Sequence, residues 1–286
     1  MVHFERLCAC GPYDFSIGWD GIHNGFISIT PMSGNPSRTR RSSFSKRGPE
    51  RKGSAQAPAS IALIVFAKAP VAGQVKTRLC PPLTPDEAAS LHGSLVLDLL
   101  ERCHTLKGCD RILAGAPTPD HPFFGAMKAR FKIPIWEQVG DDLGGRMAHA
   151  FQSALVSPYR SAIIIGTDIP GITASLITTA SKSLQDHDMV LGPTVDGGYY
   201  LIGLRAPVPE LFEHIPWSTD TVFSLTQEKA KAMGLSLKIL PMLPDLDTIE
   251  DLQSFIQESK DRKNQTFSSR TKNVLLELEK RVASRR

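Results

Sequence analysis

The chain predicts an α/β fold whose mixed, mostly parallel sheet is covered by helices on both faces. Three observations carry this. Apolar runs of strand length, IALIVFA (61–67) and SAIIIG (161–166), are continuous rather than alternating, the mark of strands buried on both sides. Segments with helix start signals lie between such runs, the alternation expected of a two-layered sheet. Finally, DMVLGPT (188–194) and YYLIGLR (199–205) are joined only by VDGG. That link is too short for a crossover, so this pair should run antiparallel inside an otherwise parallel sheet.

The elements follow in order. The first strand, 61–67, leads into a Pro/Gly loop, KAPVAGQ. TPDEAASLHGSLVLDLLERC then reads as a helix, with Thr84 as N-cap, Pro85 at its first position and Glu87 completing a capping box. RILAGA (111–116) is a strand, 121–130 a short helix and IPIWEQV (133–139) another strand. DLGGRMAHAFQSAL places Met147, Phe151 and Leu155 four apart on one helical face. After SAIIIG, Thr173 caps a helix reaching about Leu184. A helix near 219–233, a strand at LSLKILP and a helix IEDLQSFIQE capped by Thr248 complete the body. Val274, Leu275, Leu278 and Val282 share one face of a further, amphipathic helix in the tail.

Charge divides the chain. Residues 31–58 carry seven Lys/Arg against one acid, and 260–286 carry nine against three. The overall net charge is +4, yet residues 59–259 alone stand at −6. A nucleic-acid binder would concentrate positive charge on its folded body, so that class is not expected. No run of about 18 apolar residues is present, so no membrane-spanning helix is expected either. The expected organisation is a basic, Ser-rich, disordered extension (1–58), a single α/β domain (59–258) and a basic tail (259–286). The extension lacks the pattern of a secretory signal; a targeting segment and a start codon placed too early both stay open. The five cysteines, Cys8, Cys10, Cys80, Cys103 and Cys109, fit no zinc spacing and read as reduced thiols of a cytoplasmic protein.

Four motifs fall at predicted strand ends, where ligands of such sheets bind. KAPVAGQVKTRL (68–79) offers Gly73 for a tight turn and Lys68, Lys76 and Arg78 for a polyphosphate, or is a solvated basic loop. GTD (166–168) ends the most apolar strand. Asp168 there suits a hard cation such as Mg²⁺, or merely caps a turn. TVDGGYYLIG (194–203) carries a hairpin signal, and Asp196 could serve as a base or acceptor anchor. PDLDTIEDL (244–252) sets Asp245 and Asp247 before a capped helix, as metal ligands or as charges complementing its dipole. Two smaller features join them. Arg146 opens a helix in LGGRM, as a phosphate contact or a surface residue. IPWST (215–219) sets Trp217 beside hydroxyls, as a site wall or as core.

FAKAPVAGQVKTRL, LGGRM, GTDIPGIT, LGPTVDGGYYLIGL, IPWST and DLDTIEDL occur in one order over about 200 residues. Taken jointly they resemble a bacterial transferase family associated with radical-SAM and selenium proteins, also described as arsenosugar-biosynthesis glycosyltransferases. That resemblance implies a nucleotide-diphospho-sugar transferase of GT-A type: a Rossmann-like α/β/α sandwich with a mixed, mostly parallel sheet. KTRL is also similar to the KSRL of phospholactate guanylyltransferases. DLDTIEDL is similar to the DTPEDL of CMP-sugar synthetases, where the Asp before Thr helps bind metal, which carries that role to Asp247. Departures are Ala72 where Pro is common, Cys80 for Ala and Gly145 for Glu; none removes a proposed functional group.

The resemblance thus implies glycosyl transfer from a nucleotide sugar to a small acceptor. Mg²⁺ or Mn²⁺ would be held by Asp168 and Asp247. Lys68, Gly73, Lys76, Arg78 and Arg146 would hold phosphates, and Asp196 would act on the acceptor hydroxyl. Trp217, Ser218 and Tyr199 would line the acceptor side. The alternatives are a nucleotidyltransferase joining an NTP to a phosphorylated small molecule, and a non-catalytic nucleotide-binding module. A homodimer is a further expectation. Two carboxylates as close as Asp168 and Asp247 would repel unless a cation lay between them, so the metal-free site should be strained.

Overall fold

The computed structural model describes residues 61–156, 159–261 and 266–284, the side chains of 281–284 excepted. All belong to one compact unit, Ala55–Arg286. The extension 1–58, with Cys8 and Cys10, and the side chain of Val282 lie outside the described residues.

Seven strands form one sheet in the order β3-β2-β1-β4-β6-β5-β7. They are β1 (Ile61–Lys68), β2 (Cys109–Ala116), β3 (Ile135–Glu137), β4 (Ser161–Ile165), β5 (Met189–Pro193), β6 (Tyr199–Leu204) and β7 (Leu237–Ile239). β1 is central, with Ile61 opposite Cys109 on one side and Ser161 on the other, both parallel. β6 alone runs against its neighbours, pairing antiparallel with β4 and β5. The expected antiparallel pair is therefore β5–β6, and the sheet is mixed and mostly parallel. The helices are α1 (Pro85–His104), α2 (Pro122–Phe131), α3 (Leu143–Leu155), α4 (Ala174–Ser183), α5 (Val222–Ala232), α6 (Ile249–Lys260) and α7 (Ser269–Ser284).

The period of two along β1 explains the layers. Leu63, Val65 and Ala67 face one core with Val96, Leu99, Phe124 and Ile177, from α1, α2 and α4. Ala62 and Ile64 face the other with Met147, Phe151 and Ala230, from α3 and α5. β4 divides the same way, Ile163 and Ile165 against Ala162 and Ile164. Each fully buried aliphatic side chain contributes about 1.5–3 kcal/mol relative to exposure. A third cluster joins Leu91 and Leu95 of α1, Leu252 and Phe255 of α6, and Leu275 and Leu278 of α7, so the tail helix packs on the body.

The helix starts obey their local chemistry. Thr84 Oγ1 accepts from the Glu87 amide while Glu87 accepts from the Thr84 amide, a complete capping box. Asp251 plays the Glu87 part for Thr248 at α6. The two edge strands are shorter than the apolar patterns 133–139 and LSLKILP suggest. Each is paired on one side only, so fewer ladder bonds hold its ends. The carboxyl ends of β1, β4, β5 and β7 emerge at one edge, together with the start of β6.

Candidate functional site

Lys76 organises this edge. Its backbone takes a left-handed turn, φ 51°, rare for a residue with a side chain. That turn sends the side chain inward, where only 2% of it remains exposed. The ammonium donates to the Leu246 carbonyl at 2.5 Å. It also lies 2.7 Å from Asp168 Oδ1 and 3.6 Å from Asp247 Oδ1. From outside, Arg78, 71% exposed, donates to Asp247 Oδ2 at 3.0 Å. The Leu246 amide donates to the Asp168 carbonyl at 3.0 Å, so the two acid loops are stitched through their backbones as well. The structure thus brings together Lys76, Arg78, Asp168 and Asp247, the last two 79 positions apart in sequence.

The expectation of a strained metal-free site is corrected here, because Lys76 supplies the cation between the two acids. Burial by itself would raise the Asp168 pKa. The Lys76 ammonium, and after it His92, outweigh that and hold the carboxyl well below its usual range. Asp168 Oδ1 is enclosed, yet the side chain as a whole remains 48% exposed, so the carboxylate points one oxygen inward and keeps an outward side.

His92 is the functional neighbour that the motifs do not contain. It lies on α1, 3% exposed, in the apolar stripe of Ala88, Leu91, Leu95 and Leu99. Its Nε2 is 3.0 Å from the Lys68 carbonyl and its Nδ1 is 3.6 Å from Asp168 Oδ1. A polar ring within that stripe was the available signal. Lys68 itself is exposed at the end of β1, and Gly73, φ 76°, lies at the open turn of the loop.

A second acid pair lies along the same edge. Asp196 Oδ1 accepts from Thr194 Oγ1 at 2.5 Å and from the Gly198 amide at 3.1 Å, so one oxygen holds the turn. Thr194 bridges Leu243 in parallel, which sets the Asp196 turn beside the segment that carries Asp245. Burial, and next the Asp196 charge, push the Asp245 pKa up to about 6.

Tyr199, Trp217 and the start of α3 form a separate shelf. Trp217 meets the Tyr199 ring edge-on, centroids 6.5 Å apart. It lies so close over Gly144 that a Cβ there would be 2.5 Å from the indole. That contact accounts for one glycine of LGGRM. Asp142 caps α3 by accepting from the Gly145 amide at 2.7 Å, and Arg146 Nε donates to the Gly140 carbonyl at 3.0 Å. Ser218 follows Trp217 with φ 67° and is exposed. This loop leans on the Asp196 turn, because Gly197, φ 88°, meets the Asp220 carbonyl where any side chain would clash. The aromatic shelf and the Lys76 cluster thus flank Asp196.

Among the described residues, no group of three or more His, Cys, Asp and Glu side chains is arranged around a metal position. The donor chemistry at Asp168 and Asp247 nonetheless suits a hard cation. Two carboxylate oxygens and a carbonyl already surround a charged atom there, with the Lys76 ammonium standing in for the ion.

A mixed sheet of this order, with charged loops gathered at one edge, is the fold of nucleotide-using transferases. A proposed nucleotide-diphospho-sugar transferase from Desulfovibrio desulfuricans G20, of known structure, superposes with a TM-score of 0.72. It is 33% identical, and the match covers 79% of this chain and 98% of that one. A family model described as an uncharacterized protein conserved in bacteria, DUF2064, matches residues 99–219. The chain belongs to the same family as the Desulfovibrio protein. It is also 27% identical to a phosphoenolpyruvate guanylyltransferase from Sphaerobacter thermophilus over 182 residues, 62% of this chain and 84% of the relative.

Proposed function

We propose that this chain is a glycosyltransferase that binds a nucleotide sugar by its phosphates at the Lys76 edge and transfers the sugar to a small acceptor. The observation that carries the reading is the meeting of Lys76, Arg78, Asp168 and Asp247 where β1, β4 and β7 end. Lys76 and Arg78 would hold the diphosphate, with Lys68, Gly73 and Arg146 as further phosphate contacts. Mg²⁺ or Mn²⁺, held by Asp168 and Asp247, would neutralise charge on the leaving nucleoside diphosphate. Asp196 uses one oxygen for its turn, and the other would accept the acceptor's hydroxyl proton. Tyr199, Trp217 and Ser218 would present ring faces and a hydroxyl to the sugar or acceptor. Within the family, the motifs favour the transferases associated with radical-SAM and selenium proteins. The cysteines described, Cys80, Cys103 and Cys109, are unpaired, which favours a reducing, cytoplasmic setting.

A second reading is nucleotidyl transfer: a phosphorylated small molecule attacks the α-phosphate of an NTP and pyrophosphate leaves. The guanylyltransferase relative and the cationic loop favour it. Thermal-shift screening of nucleotide sugars and NTPs, each with and without Mn²⁺, separates the two. A ligand at a hundred times its Kd adds about 2.7 kcal/mol of stability. Stabilisation by sugar nucleotides is expected; stabilisation by NTPs alone would transfer the assignment to the second reading.

A further inference from the structure

We propose that Lys76 is a resident counter-cation, and that Asp168 and Asp247 take up a divalent ion only once a polyphosphate has drawn the Lys76 ammonium away. The proposal rests on the metal site of the preceding reading. It goes beyond that reading by assigning an order: phosphates first, or together with the metal, and never the metal alone.

Three features of the cluster carry it. The first is occupancy. Nζ has three oxygens around it, at 2.5, 2.7 and 3.6 Å, from Leu246, Asp168 and Asp247. The ammonium bonds the two nearer oxygens and attracts the third by charge alone, and a divalent ion placed there would be a few ångströms from it with like charge. The second is charge balance. Asp168 and Asp247 carry two negative charges, and Lys76 and Arg78 carry two positive ones. Handing both cations to a polyphosphate leaves the carboxylates two charges short, the charge of one Mg²⁺ or Mn²⁺. The divalent ion restores balance at the carboxylates when it arrives, and no bond is made or broken. The third is access. Arg78 reaches Asp247 from solvent, 71% exposed, so an incoming phosphate meets it before the buried Lys76.

His92 adds an unpartnered polar group to the same cluster. It is almost fully buried, and its Nδ1 has no hydrogen-bond partner while aiming at Asp168 Oδ1 from 3.6 Å. A carbonyl only accepts, so the Lys68 contact takes the hydrogen on Nε2. With Lys76 gone, that unpartnered ring nitrogen is left beside Asp168 Oδ1.

The left-handed backbone of Lys76 fits a residue held by its side-chain contacts rather than by local preference.

The test uses the full chain with two simple probes: Mn²⁺ alone, followed by electron paramagnetic resonance of the free ion, and metal-free tripolyphosphate, followed by calorimetry. Wild type is compared with Lys76→Met and with Lys76→Gln, which keeps a donor for Leu246 should the first variant not fold. The expected result is a crossing of signs. The variants bind Mn²⁺ at least tenfold more tightly than wild type, and tripolyphosphate at least tenfold more weakly. A merely structural lysine would weaken both. Equal Mn²⁺ affinity in wild type and variants overturns the counter-cation role while leaving the metal site standing. Unchanged tripolyphosphate affinity overturns the hand-over. Absence of Mn²⁺ binding in every protein at millimolar metal overturns the metal site and this proposal together.

Discussion

Two pairs of aspartates lie along one sheet edge in opposite electrostatic states. Asp168 and Asp247 share the buried Lys76 ammonium, and Asp168 is held well below the ordinary carboxylate range although its Oδ1 is enclosed. Asp196 and Asp245 lie in the segments that follow the Thr194–Leu243 bridge, and the charges acting on Asp245 are those of Asp196, Asp251 and Asp247, all negative. Burial and this repulsion push Asp245 up to about 6. All four are acids in turns at strand ends. One lysine, 170 positions before the carbonyl it meets, separates their behaviour. Proximity alone therefore does not say whether paired acids strain a fold; the third group between them does.

The most disruptive way to break this contrast is Lys76→Met. Breaking a buried ion pair costs about 3–5 kcal/mol. Because Asp168 is half exposed, about 2 kcal/mol is expected by urea denaturation at neutral pH. Asp168 has a lowered folded pKa, so its contribution is present above the ordinary carboxylate pKa and fades as pH falls below it. The gap between wild type and variant should accordingly narrow below about pH 4. A variant as stable as wild type at neutral pH would mean the two acids do not need their lysine.

Asp245→Asn sharpens the contrast from the other side, with the opposite sign. The folded pKa is raised, so between about pH 4 and pH 6 the folded state binds more protons and loses stability as pH rises. Asn removes that loss. Melting at neutral pH should show a gain of about 1 kcal/mol after allowing for solvent screening, and melting at about pH 4 almost none. A loss at neutral pH would show that the Asp245 carboxylate is tied into structure.

The mildest change is Asp196→Asn. An Asn oxygen can still accept from Thr194 and Gly198, so stability should move by less than about 0.5 kcal/mol. The informative readout is the carboxyl carbon of Asp245 followed by NMR through a pH titration. Its midpoint should fall toward the ordinary range once the Asp196 charge is gone. An unmoved midpoint would make burial alone the cause.

Much of the scaffold was legible because it is written in local chemistry. Thr84 and Glu87, Pro85, and Thr248 mark helix starts by hydrogen bonds made within four residues. The VDGG link could join only an antiparallel pair, and β5–β6 is one. Less legible was that β6 also lies against β4, placing the hairpin inside the sheet rather than at its rim. Strand order depends on which faces pack together across long separations, and no local signal reports that.

The amino-acid order by itself determined the α/β class, the helix caps and the placing of Lys76, Asp168, Asp196 and Asp247 at strand ends, since periodicity and capping act over a few residues. Tertiary structure alone decided what those groups became. Lys76 read as one of three loop cations, for a polyphosphate or for solvent, and is instead buried between two acids. His92 read as part of a helix and is instead aimed at Asp168. The reason is physical: a side chain's charge state and partners are set by the atoms within a few ångströms, and here those atoms come from loops some 80 to 170 positions away, brought together only when the sheet closes its layers.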